Sequence, residues 1–196
     1  MIDLIEDIKE FLIEIRSEIF DLRWEFEKIN TIENNFTCIV YFSHNNYTIL
    51  DSIEYCHKEK RLQVHAFVVM TSHAHMIISK RGTNKLEDIM RDLKKFTAFK
   101  IIGAKMNNPG ESRKVWLLKL FEERGRLESN TTKYQFWQHD NHPIELTNNR
   151  MIEVRLNYIH NNPVEAGFVF QPEEYVYSSA IDYAEGKGYL SIELLQ

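Results

Sequence analysis

His73 and His75 stand one residue apart in the run Val68-Val69-Met70-Thr71-Ser72-His73-Ala74-His75-Met76-Ile77-Ile78. A β-strand sends alternate side chains to one face, so both imidazoles would point the same way, within about 7 Å of each other. Two neutral imidazoles at that spacing can share one divalent cation. A bare His-x-His also occurs as a solvated or cross-strand pair, so the spacing leaves both readings open. A second pair lies far along the chain, in Met151-Ile152-Glu153-Val154-Arg155-Leu156-Asn157-Tyr158-Ile159-His160-Asn161-Asn162-Pro163. Ile152, Leu156 and Ile159 fit one helical face, and Pro163 is expected to end that helix and restrain Asn162. Tyr158 and Asn162 are four apart, so the last turn would present a phenol and an amide oxygen together. Taken alone, such a tyrosine is a boundary residue and such an asparagine a helix stop.

Both pairs need elements to hold them. The pattern predicts a strand at Leu62–Met70, a tight turn, and a strand at His73–Lys80 carrying the histidines. A helix is predicted at about Leu86–Lys105, with Leu86, Ile89, Met90, Leu93, Phe96 and Ile101 on its inner side. Asn107-Asn108-Pro109-Gly110 breaks it, and Glu111–Arg124 reads as a second, basic helix. Gly125–Lys133 reads as a polar loop and Tyr134–His139 as a strand leading to the Tyr158 helix. An earlier helix at about Asn46–Lys58 completes the layer. Strands split by crossing helices predict an α+β sandwich of the ferredoxin type.

The N-terminus has a different rhythm. Ile5, Ile8, Leu12, Ile15, Ile19, Leu22 and Phe26 recur at spacings of three and four, with Lys9, Arg16 and Arg23 at one flanking position. This predicts an amphipathic helical extension over residues 1–33, ahead of a domain at 34–196. The helix either pairs with its copy in a homodimer or packs on the domain. A first strand is expected at Phe36–Phe42, whose composition is β-type.

Composition sets wider limits. The 196 residues include 43% hydrophobic and 12% aromatic side chains, which excludes global disorder and suits one domain plus an extension. No apolar run has the length of a membrane span, and the first residues lack the cationic start of a secretory signal. Cys38 and Cys56 show no metal-binding or redox spacing, so free thiols in a reducing cytoplasm are expected. The net charge of −5 argues against nucleic acid until it is mapped along the chain. Residues 1–57 hold 4 basic and 12 acidic side chains, whereas residues 80–133 hold 14 basic and 7 acidic ones. Lys94, Lys95, Lys100 and Lys105, then Arg113, Lys114, Lys119, Arg124, Arg126 and Lys133, form a stretch able to grip phosphates. Phe96, Phe99, Trp116 and Phe121 are interleaved with it; stacking on unpaired bases is open to them, but a core-facing position is the expectation.

Together these segments resemble the single-tyrosine HUH transposases, and within them the REP-associated tyrosine transposases. The resemblance runs from about Tyr47 to Tyr183. It rests on His73-Ala74-His75, on Phe136-Trp137-Gln138-His139-Asp140-Asn141-His142-Pro143-Ile144, on Tyr158-Ile159-His160-Asn161-Asn162-Pro163-Val164-Glu165-Ala166-Gly167-Phe168-Val169, and on Tyr175-Val176-Tyr177-Ser178-Ser179. It implies a ferredoxin-like antiparallel sheet with helices on one face, and a metal-dependent cut in single-stranded or hairpin DNA through a covalent 5′-phosphotyrosine. By the same resemblance His73, His75 and Asn162 would be ligands of Mg²⁺ or Mn²⁺, and Tyr158 the nucleophile. Ala74 stands where the family more often has a bulkier apolar residue. Two other outcomes are kept: a DNA-binding derivative of the fold that has lost cleavage, and, more remotely, a metal-dependent hydrolase of small molecules. For His65, His139, His142 and His160 a structural role is expected first, and Glu145 and Glu153 are weaker candidates for orienting the ligands.

Overall fold

The strand that carries both histidines lies inside the sheet, between two neighbours. In the computed structural model β1 (Thr31–Thr37), β2 (Leu62–Val69), β3 (His73–Lys80) and β4 (Ile144–Glu145) form one antiparallel sheet in the order β2-β3-β1-β4. The structure describes residues 31–37 (backbone only), 46–110, 112, 114–127, 133–138 and 143–195. That strand order, with helices crossing between β1 and β2 and between β3 and β4, is the ferredoxin-like arrangement the sequence predicts.

Helices α1 (Asn46–Lys60), α2 (Leu86–Asn107) and α3 (Lys114–Leu127) share one core. Ile49, Leu50 and Ile53 of α1 and Ile89, Leu93 and Ile101 of α2 sit at helical spacing. They meet Val64, Phe67 and Val69 of β2 and Ala74, Met76 and Ile78 of β3, while Leu117 and Phe121 of α3 close one end. Each such fully buried side chain contributes roughly 1.5–3 kcal/mol. Helix α4 (Asn149–Glu165) lies on the opposite sheet face, where Ile159 packs with Ala66, Val68, Met70 and Ile77. The layer of crossover helices on one face is thus as expected. The tyrosine helix departs from that expectation by forming a second layer on the other face.

β2 explains how one strand serves both cores. The register slips between Val64 and Ala66, so the alternation of faces inverts at His65. Val64 and Phe67 therefore face one core and Ala66 and Val68 the other, whereas unbroken alternation predicts Val64, Ala66 and Val68 on one side and Phe67 on the opposite one. β2 is also an edge strand, and later segments cover it. Glu193 donates its amide to the Val64 carbonyl at 2.8 Å, Val69 donates to Tyr177, and Ser178 bridges Val68.

Other boundaries shifted. β1 is described over Thr31–Thr37, so it starts before the expected Phe36, while residues 38–42 lie outside the described residues. Asn34 and Asn35 have low strand propensity, and pairing with β3 overrides it. Apart from residues 31–33, the N-terminal extension and its heptad pairing lie outside the described residues. α3 starts later and runs through Gly125 to Leu127. Tyr134–Gln138 forms no ladder beyond a single bridge at Trp137, because Phe136 and Trp137 both enter the helical core instead of alternating. The fourth strand is the two-residue β4.

Pro163 does not end α4. It sits inside the helix, whose φ its ring already matches, and two more residues follow. The stop comes at Gly167 (φ 73°), with Gly167 donating to Val164 and Phe168 to Pro163. That is a Schellman ending, in which glycine supplies the left-handed conformation. At the other end Asn148 caps α4, its side-chain oxygen accepting the Met151 amide at 3.0 Å.

Candidate active site

Alternation along β3 turns Ala74, Met76 and Ile78 to the α1–α2 core and His73, His75 and Ile77 to the α4 side. The two imidazole centroids are 4.9 Å apart with the rings nearly perpendicular. Tyr158, on the second turn before the end of α4, meets the His75 ring edge-on at 5.2 Å. One helical turn later Asn162 places Oδ1 3.2 Å from His73 Nε2. The structure therefore gathers His73, His75, Tyr158 and Asn162 from two distant segments onto one patch between β3 and α4.

Burial decides the charge state. His75 has no exposed surface, and loss of solvent, followed by the nearby His73 and Arg155, holds its pKa well below the ordinary value. Burial likewise lowers His73, partly offset by the Asn162 amide. Both rings are thus neutral near pH 7 and keep a lone pair each, which is the form that binds metal. Since an amide oxygen can only accept, His73 Nε2 donates to Asn162 and Nδ1 accepts from Ser72 Oγ at 3.1 Å.

Among the described residues no group of three or more His, Cys, Asp or Glu side chains is placed to hold a metal ion. The site here offers two imidazoles and one amide. Such a mixed set would leave positions open for phosphate and water on a divalent cation; the amide oxygen suits Mg²⁺ or Mn²⁺, and the imidazoles do not exclude zinc.

His65 and His160 have structural work. His65 Nδ1 donates to the Glu193 carbonyl and Nε2 bonds Ser79 Oγ, each at 2.8 Å, so it fastens the tail to the sheet. His160 bonds Ser179 Oγ at 3.0 Å, and burial lowers its pKa to about 4. His139 and His142 lie outside the described residues. Glu145 is buried in β4 and Glu153 is exposed on α4.

The basic residues do not join this patch. Lys94, Lys95 and Lys100 belong to α2, and Lys114, Lys119, Arg124 and Arg126 to α3, in the layer on the far side of the sheet. Lys94 donates to the Gln138 carbonyl at 2.9 Å. Lys119 and Arg126 pair with Glu123 and Glu122 one turn away, and Arg113 lies outside the described residues. Phe96 and Phe99, expected in the core, are exposed; the stripe Ile89, Leu93, Thr97, Ile101 takes the inner face and leaves them on the flank. Trp116 and Phe121 pack inward as expected.

Two site residues escaped the sequence pattern. Ser72 was visible only as a neighbour of His73, and Arg155 only as the residue three before Tyr158 on one helical face.

No protein-family model matches the sequence, and no curated protein matches it. Solved structures do. A REP-associated tyrosine transposase bound to a REP hairpin superposes with a TM-score of 0.56 at 16% identity, covering 90% of this chain and 99% of that one. The chain shares that transposase fold. A second structure, from Deinococcus radiodurans R1 and assigned provisionally as a transposase, matches at 11% identity with a TM-score of 0.37, over 71% of this chain and 97% of that one. Only the first is near enough to bear on the fold.

Proposed function

We propose that this protein is a metal-dependent single-strand DNA endonuclease and strand transferase acting beside hairpin DNA. The observation that supports it best is the convergence of His73, His75, Tyr158 and Asn162 across the β3–α4 boundary. His73, His75 and Asn162 would hold the divalent cation. When bound it supplies positive charge to the non-bridging phosphate oxygens and orients the phosphate. Tyr158 is the nucleophile: its oxygen bonds to phosphorus as it gives up its proton, and the bond to the 3′ oxygen breaks. The released strand takes a proton as a 3′ hydroxyl, and the 5′ phosphate stays on the tyrosine. Phosphodiester is exchanged for phosphotyrosine, so the step runs backwards onto another 3′ end without ATP. Arg155, whose charge already reaches His75, adds positive potential on the tyrosine's own helix.

The test is incubation of the protein with a single-stranded oligonucleotide that folds into a hairpin, in Mn²⁺ or Mg²⁺. A covalent protein–DNA adduct is expected, absent with chelator and absent in Tyr158→Phe. An adduct that survives Tyr158→Phe removes Tyr158 from the role of nucleophile. A second reading is favoured by the complete burial of His75: a DNA-binding relative of the fold that no longer cuts. It requires hairpin binding with no adduct under any metal.

A further inference from the structure

The chain leaving α4 has a feature that cleavage chemistry does not use. Residues 167–176 hold three exposed apolar side chains: Phe168 at 46%, Phe170 at 91% and Val176 at 63% exposure. Apolar side chains exposed together on one short segment, beside a site, form a surface suited to an interaction. The backbone beneath it is fixed. Glu174 accepts the amides of both Phe170 and Gln171 at 3.0 Å, and Gln171 and Glu174 form a capping box around the short 3₁₀ turn Pro172–Glu174. Phe168 leans on Tyr175, with ring centroids 6.0 Å apart.

The segment is fastened to both elements that bear the site. At its start Phe168 donates to the carbonyl of Pro163, the residue after Asn162. At its end the Tyr175 hydroxyl donates to the Val69 carbonyl at 3.1 Å, and Val69 donates to Tyr177 at 2.8 Å. Val69 belongs to the hairpin that turns directly into His73, closed by the Met70 amide on the His73 carbonyl at 2.8 Å. The aromatic segment thus clamps the two ends of the His73–Asn162 contact, while the basic helices lie across the sheet. Its own charges, Glu173 and Glu174, with Glu165 just before it at the end of α4, make it a poor grip for phosphate. A base face needs no cation.

We propose that Phe170, with Phe168 two residues before it, is a stacking platform for an unpaired base of the strand whose phosphate sits at the His73–Asn162 site. This rests on the nuclease reading for the identity of the ligand. Stacking on aromatic rings tolerates any base, so the platform selects single-stranded over paired DNA rather than a sequence.

The experiment compares two fluorescently labelled hairpins, one blunt and one with a single-stranded extension, binding the full chain in chelator so that nothing is cut. The wild type binds the extended hairpin more tightly, and Phe170→Ala weakens that binding by about tenfold while leaving the blunt hairpin unchanged. Phe170→Trp retains the preference. Because the ring is exposed, an unchanged melting temperature will accompany Phe170→Ala. Equal affinity of wild type and Phe170→Ala for the extended hairpin overturns the proposal and returns the patch to a protein partner. So does a wild type with no preference for the extension. Failure of the nuclease reading shows separately, as a missing adduct in metal, while the affinity comparison still reads the platform.

Discussion

At the scale of single residues, Ser72 is the one that makes the histidine pair convertible. In the structure His73 carries its proton on Nε2, toward Asn162, and its Nδ1 accepts from the serine. A cation that takes Nε2 needs the other tautomer, with the proton on Nδ1. A hydroxyl serves both forms, donating in one and accepting in the other. A second partner of this kind fixes ring orientation and raises ligand basicity. Ser72→Ala is therefore expected to weaken Mn²⁺ binding by about tenfold, with the fold unchanged. Titration of the protein with Mn²⁺, followed by calorimetry or by paramagnetic signal, checks it. An affinity equal to wild type would mean that His73 is oriented by packing alone. This expectation is separate from cleavage, since it is read on metal affinity before any DNA is added.

At the scale of elements, one buried hydroxyl helps tie α2 to the Phe136–Trp137 segment. Thr97 is fully buried on the inner face of α2, donates to the Leu93 carbonyl at 2.8 Å and accepts the Trp137 indole N–H at 2.9 Å. Thr97→Val keeps the volume and removes that acceptor from the indole N–H in the core, so a loss of about 1–3 kcal/mol is expected. Thr97→Ser should restore most of it. Urea unfolding of the three proteins decides; equal midpoints would show that the indole finds another acceptor. Thr97 also shows where sequence reading stops. β3 was legible to the residue because His73–Lys80 alternates cleanly and is bounded by a turn. α2 was legible as a helix, and Leu86, Ile89, Met90, Leu93 and Ile101 of its expected inner side are buried; only Phe96 misses that face, where the polar Thr97 takes the stripe. The slip at His65 leaves no mark in composition, since a bulge is decided by what pairs with the strand. β4 is two residues long and exists only through its pairing with β1, so no local pattern announces it. The four site residues were found by motif; that α4 would lie across the sheet from α1 and α2 was not, because the side a helix takes is set by long-range packing.

At the scale of the whole molecule, charge and chemistry occupy opposite layers. The site lies between the sheet and α4, whereas the basic side chains of α2 and α3 line the other layer. On the proposed reading, DNA that engages both layers reaches around an edge, with a single strand at the site and the more highly charged duplex stem on the basic layer. Not every cation there is equally available. Lys119 and Arg126 are partnered by glutamates one turn away, exposed pairs each worth about 0.3–0.5 kcal/mol, and Lys94 is bonded to Gln138. Lys95 and Lys100 form no ion pair among the described residues, and Lys100 lies 5.5 Å over the exposed Phe96 ring. If the stem rests on α2, each lysine at a phosphate releases a condensed counterion, and log affinity falls with log salt by about 0.9 per contact. The double variant Lys95→Ala/Lys100→Ala is then expected to flatten that slope by about 2 and to weaken binding most at low salt. Adduct formation on a saturating hairpin should be unaffected, because neither lysine touches the site. A series of binding curves between about 50 and 200 mM salt measures it. An unchanged slope would place the stem on the α4 side, and the basic layer would then have no part in holding DNA.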